Sequence, residues 1–449
     1  MKTRNLMIVA MLICVCLIAY WYRPAKNTEN HLPKNQEGKV FKKVNLTTAE
    51  VPDKTELATY AGTSPFILKG IDWLAASQFE NGGWGAGSNN RQHIRDPKAV
   101  KVDPGTTAFA AMALLRAGNT LKKGPHSENL KKALMYLLQL IEEYPAEGPK
   151  ITNITGTQPQ VKLGQNIDAS LCAQFLMRIK SHTRGKLAKR IDKSLGKCLK
   201  KIQGSLAKDG SIRGGGWAPV LQSAMANNTL EMAYDAGLKV DKKALERSRD
   251  YQKKMGGKSK GGSRPVSTFG RRGMVSSPTY SKGDAGVALY SISSQQRATA
   301  KEAKKAEKII KNAIRKGKLN KDAKINADNL NKVMDNEDDA KKLSQAYEQN
   351  EATYRSLQSN RVLAGFGNNG GEEFLSYMMT SESMVINGEE KFDKWQAKML
   401  ERLEKIQNPN GSWSGHHCIT SPVFCTAAVV LTLTVEKDKD MLVKERKKD

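Results

Sequence analysis

Aromatic residues make up only 6% of this chain, so flat platforms for bases or sugars are scarce. Acid is the minority charge: Asp+Glu number 45 against Lys+Arg 73, a formal net charge of +28. That imbalance points to an anionic neighbour and says nothing about fold. Only one long uncharged apolar run occurs, which excludes a many-pass membrane protein. Six cysteines in 449 residues do not define a disulfide scaffold, because so long a chain folds without one. Against these shortages, 39% of the residues are hydrophobic, enough for one large core or two ordinary ones. A wholly disordered chain is excluded.

The single apolar run spans Leu6 to Tyr22. Lys2 and Arg4 precede it, and Tyr20, Trp21, Tyr22 and Arg23 close it as an interfacial belt with a positive stop. No small-residue cleavage site follows. Residues 1–22 are therefore expected to be a signal anchor or transmembrane helix, with the bulk of the chain periplasmic or extracellular. Residues 23–63 are polar and proline-bearing and read as a linker. Export makes a nucleic-acid partner unexpected, despite the positive charge.

From residue 64 to 435 two kinds of helical segment alternate. One kind is rich in Ala, Ser, Thr and Gly and apolar on most sides. It begins near Pro104, Gly164, Trp217, Gly283, Gly371 and Pro422. The other is amphipathic and lysine-rich, at about 65–78, 126–144, 185–203, 241–255, 297–317 and 391–407. Six alternating pairs are an internal repeat, and a closed ring with the small-residue helices inside satisfies it. The Gly-, Ser- and basic-rich stretch 255–282 reads as a loop, 318–360 as a charged helical insertion outside the ring, and 436–449 as a charged tail.

The sharpest internal match pairs Gln78 to Trp84 with Gln407 to Trp413, both of the form Q-x-x-N-G-x-W. Asn-Gly supplies the left-handed residue that ends a helix, and Gln can bond backbone groups at a neighbouring helix end. A longer-spaced copy runs from Gln203 through Asp209 and Gly210 to Trp217. These elements resemble the QW repeats of the squalene cyclase and protein prenyltransferase superfamily. Residues 403–433 look like the last repeat of bacterial prenyltransferase/squalene oxidase repeat proteins. The resemblance implies an all-α fold, an α6/α6 toroid of six inner and six outer helices. In such repeats the Gln and Trp are structural.

The chemical signatures of that superfamily are missing. No D-x-D-D run is present; Asn336 to Asp339 lacks the first acid. There is no Asp-x-Cys zinc pair and no thioester-type G-C-G-E-Q run. Polar residues nevertheless cluster at the expected starts of the inner helices, which a ring would gather at one mouth. Asp168, Asp284, Glu372 and Glu373 are the candidate acid–base residues; Asp103, Asn166, Trp217, His416 and His417 are candidate pocket residues. His416, His417 and Cys418 could hold zinc with a remote acid. Cys418 could instead act as a nucleophile near a helix N-terminus, or pair with Cys425 in a disulfide. The carboxylates of Glu372 and Glu373 could equally be helix caps.

Two functions are open on the sequence. One is a ligand-binding or interaction scaffold, touching an anionic lipid or envelope polymer through its basic loop. The other is an enzyme acting on a lipid, isoprenoid or carbohydrate at the mouth.

Overall fold

Proline and cap residues set the helix starts. Pro65, Pro104, Pro219 and Pro422 occupy first helical positions, where a missing N–H costs nothing. Asp103 and Ser421 accept the orphan amides of Thr106 and Phe424. The structure, a computed structural model, describes residues 62–255 and 285–446, with side chains from residue 288 in the second stretch. The expected anchor, Asp284 and nearly all of the basic loop lie outside the described residues. No helix among the described residues is long and apolar enough to cross a membrane.

Twelve helices of twelve residues or more are described. They are α1 (Pro65–Ala76), α2 (Pro104–Arg116), α3 (Ser127–Glu143), α4 (Ile167–Lys180), α5 (Gly185–Gly204) and α6 (Pro219–Asp235). Then follow α7 (Lys242–Met255), α8 (Ala285–Arg315), α9 (Glu337–Leu357), α10 (Gly371–Asn387), α11 (Glu389–Glu404) and α12 (Pro422–Leu433). The described residues are all-α, with three isolated bridges and no strand. All twelve helices belong to the same packed unit.

The even-numbered helices form the core. Every residue of α2, α10 and α12 is buried, because Ala, Ser, Thr and Gly permit close approach on all faces. Packing runs in turn from α2 to α4, α6, α8, α10 and α12, and from α12 back to α2. The odd-numbered helices bury one stripe each. In α5 it is Ile191, Leu195, Cys198, Leu199 and Ile202, at helical spacing beneath a lysine-rich surface.

The fourth pair departs from expectation. Residues 285–315 form one continuous helix, so 297–317 is not a separate outer element. No Gly or Pro interrupts the sequence from Ser293 to Arg315. The charged insertion instead supplies α9, which packs along α8. Asn350 donates to Gln296 O at 3.0 Å and to Thr299 Oγ1 at 2.9 Å across that contact.

The repeated motif makes the same contacts at its two full occurrences. Trp84 Nε1 donates to Leu74 O and Trp413 Nε1 to Leu403 O, both at 2.8 Å. Gln78 Nε2 donates to Asn129 O in α3 at 2.9 Å; Gln407 Nε2 donates to Phe66 O in α1 at 2.7 Å. The third copy is corrected by the structure. Ile212, not Trp217, lies two residues after the turn glycine and is buried. Its amide donates to Ser223 Oγ at 3.1 Å, as Trp84 and Trp413 donate to Thr107 and Thr426 at 2.9 Å.

Gly82, Gly210 and Gly411 have φ of 89°, 88° and 90°. A Cβ on Gly411 would stand 2.8 Å from Lys69 O, joining the last odd helix to the first. Gly411→Ala is expected to destabilise the fold by about 1–2 kcal/mol from the left-handed backbone alone, with the clash added. Urea denaturation reads this as a lower midpoint at unchanged slope; an unaltered midpoint would show that the contact is slack.

Candidate functional site

Helix starts carry Asp103, Asp168, Glu372 and Glu373, and burial then decides their chemistry. Asp103 caps α2, accepting from Thr106 N at 2.7 Å and Ala86 N at 2.9 Å. Burial pushes its carboxyl up to about 6, against those two bonds. Asp168 lies in the first turn of α4 and accepts from Gln160 Nε2 at 2.6 Å. Burial, with Asp103 nearby, pushes it up to about 7. Asn166 is buried and donates to Ser205 Oγ at 3.1 Å. Asp103 and Asn166 therefore hold backbone and neighbouring side chains and do not line an open pocket.

A second cluster joins α8, α10 and the segment before α12. Glu373 Oε1 accepts from Tyr290 Oη at 2.9 Å and Oε2 from Gly370 N at 2.8 Å. His417 Nε2 stands 3.6 Å from Glu373 Oε2 and 2.7 Å from Asn368 O. Glu372 Oε2 accepts from Ile419 N at 3.2 Å. Burial, then the adjacent Glu373, pushes Glu372 up to about 7. Burial likewise raises Glu373, against the pull of His417. Phe366 meets the His417 ring edge-on at 5.4 Å, and Asn369 O accepts from His416 N at 2.8 Å.

The zinc expectation is not met by this geometry. His416 is exposed while Glu372 and Glu373 are buried. Among the described residues no three His, Cys, Asp or Glu side chains are placed to hold a metal. Cys418 and Cys425 are free thiols, so the disulfide does not form either. Cys418 is the one described non-glycine residue with positive φ, at 56°. Burial and the Glu372 carboxylate push its thiol up to about 12, the reverse of the activation that a helix N-terminus would give.

The opposite end of the same helices carries a network that sequence reasoning missed. Glu382 pairs with Arg116 at 2.9 Å and with Arg178 and Arg297 at 3.5 Å. Asp438, in the turn after α12, pairs with Arg116 and Arg178, each at 2.7 Å. Glu231 pairs with Arg297 at 2.6 Å and Arg249 at 3.0 Å. The available signal was an arginine or glutamate inside an otherwise small and apolar segment, which demands a buried partner.

Two concavities lie elsewhere on the surface. A groove of about 1160 Å³ runs along α3, lined by Lys101, Lys132, Met135, Tyr136 and Ile154 among others. A pocket of about 400 Å³ lies against Trp217. Trp217 is the one proposed pocket residue that lines it.

A scan against protein-family models finds no match to this chain, and a search of curated proteins finds no significant one.

Proposed function

We propose that residues 64–435 form an α6/α6 toroid of the kind the QW-like motifs resemble, anchored at a membrane by residues 1–22. The bulk of the chain is periplasmic or extracellular. It works as a ligand-binding or interaction scaffold, and the basic loop at 255–282 meets an anionic lipid or envelope polymer. The circuit of even-numbered helices and the bonds from Gln407 and Trp413 support the ring.

One observation carries the scaffold reading: α2, α10 and α12 are buried on every face. A chamber wide enough to enclose a substrate would expose the side chains that line it. Both oxygens of Asp103 and both of Glu373 are likewise occupied with amides and a neighbouring hydroxyl, while Asp168 keeps one buried oxygen without a partner. Elemental analysis of the full chain, purified in detergent micelles, is expected to give substoichiometric zinc that Cys418→Ser does not alter. One zinc per chain, lost in Cys418→Ser, would instead place a metal site at the mouth and overturn the reading of its carboxylates as occupied structural groups.

A further inference from the structure

The pocket beside Trp217 has the makings of a ligand site that neither the repeat nor the ring requires. Trp217 is 71% exposed, the most exposed large hydrophobic side chain among the described residues. It is nonetheless held firmly. Its amide donates to Val161 O at 3.2 Å, and the next amide, Ala218 N, donates to Lys162 O at 2.8 Å. Lys162 Nζ stands 3.5 Å from the centre of the indole ring. With one face of the indole under that ammonium, the exposure belongs to the opposite face and the ring edge.

Lys162 is only 3% exposed, and among the described residues no carboxylate pairs with it. Its ammonium lies against the Trp217 π face and also acts on the Cys418 thiol, with no described ion pair to neutralise it. The pocket itself adds Lys150 and no acid; Thr155, Gln165 and the backbone at Gly214–Gly215 complete a hydroxyl- and amide-bearing wall. Gln165 and Thr155 are exposed there. Gly214 and Gly215 have φ of 146° and 71°, so this wall presents bare backbone rather than side chains.

Each element selects a part of one ligand. A flat indole face takes the apolar face of a pyranose ring. Amide, hydroxyl and backbone groups take ring hydroxyls, which an apolar ligand would leave unpaired. The Lys150 ammonium, the one charged side chain among the described residues lining the pocket, takes an anion. We propose that this pocket binds an acidic sugar, stacked on Trp217 with its carboxylate or phosphate toward Lys150. The inference rests on the scaffold reading for its consequence, since a sugar held there would tether the domain to an acidic polysaccharide. A volume of about 400 Å³ limits the bound portion to a short terminal unit.

The test uses the full chain in detergent micelles, followed by calorimetry and tryptophan fluorescence. Digalacturonate, glucose 1-phosphate and neutral maltose are the probes. At least one acidic probe is expected to bind about tenfold more tightly than maltose, a difference of about 1.4 kcal/mol. Digalacturonate binding alone assigns a carboxylate, and glucose 1-phosphate alone a phosphate. Trp217→Ala and Lys150→Glu, both on the surface, should each weaken that probe by about tenfold with unchanged circular dichroism. Equal affinity for maltose, indifference to both substitutions, or no binding at millimolar probe would overturn the proposal. New reducing ends from digalacturonate would leave the pocket standing and overturn the scaffold reading.

Discussion

Glu382→Ala is expected to lower the unfolding free energy by about 3–5 kcal/mol, the cost of leaving buried charge without its partner. Glu382 is the shared acid of three guanidiniums, those of Arg116, Arg178 and Arg297, and its side chain is 3% exposed. Removing it strands positive charge where water cannot follow. Arg116 retains Asp438 and Leu431 O, and Arg297 retains Glu231 at 2.6 Å, so the network is weakened rather than erased. A loss of this size is a large fraction of the roughly 5–15 kcal/mol that holds an ordinary domain together.

The measurement is urea unfolding of the full chain in micelles, with the slope checked for constancy. Pairing Glu382→Ala with Arg297→Met should cost less than the sum of the two single changes, because the second removes part of the charge that the first strands. Strict additivity, or a loss below about 1 kcal/mol for Glu382→Ala, would show that water reaches the network and screens it.

The alternation of small-residue and amphipathic helices was legible because each kind has a local signature. Pro104-Gly105-Thr106-Thr107 announces a buried helix start, and Ile191, Leu195, Cys198 and Ile202 announce a single buried stripe. The turn motif was legible for the same reason, since Asn-Gly and the following Trp act within a few residues. What failed was long-range. Arg116 and Asp438 are 322 residues apart, and nothing local in either marks the other. By composition Asp438 belongs to a charged tail, yet it is drawn in by Arg116 and Arg178. The division of 285–315 into two helices failed because a helix with no breaker can be inner along one stretch and outer along the next.

The site was half legible. Helix-start chemistry placed Asp103 at a helix cap and Asp168, Glu372 and Glu373 in first turns, but hydropathy carries no information on how deeply each carboxylate is buried. His416 and His417 are neighbours in sequence and diverge in space, one exposed and one against Glu373. Trp217 has the residue type of a degenerate motif tryptophan, and the structure gives that packing position to Ile212. Only the count from the turn glycine, two residues rather than seven, distinguishes them.

Stability is expected to peak near pH 4–5 and to fall on both sides, because the two ends of the even-numbered helices hold protons oppositely. At the helix starts, burial raises Asp168 and Glu372 to about 7 and Asp103 to about 6, against an ordinary value near 4. Between about pH 4 and 7 the folded chain keeps protons that the unfolded chain has released. Stability therefore declines as pH rises through that window and levels above it. At the other end, burial would raise Asp438 and Glu231. The guanidiniums of Arg116 and Arg178, and those of Arg297 and Arg249 with Lys301, outweigh it and hold both acids at about 2. Their contribution is complete above the ordinary carboxylate value and is lost as pH falls from about 4 toward 2. Asp168→Asn separates the two limbs. It keeps the size of the side chain and removes a group that resists ionisation, so it should gain on the wild type by about 2–3 kcal/mol between pH 5 and pH 8. The acid limb should be unchanged, since Asp438 and Glu231 are untouched. Urea unfolding at each pH reads both limbs. A wild-type profile that rises from pH 5 to pH 8, or an Asp168→Asn profile parallel to it, would mean that the helix-start carboxylates are hydrated and ionised in the folded chain.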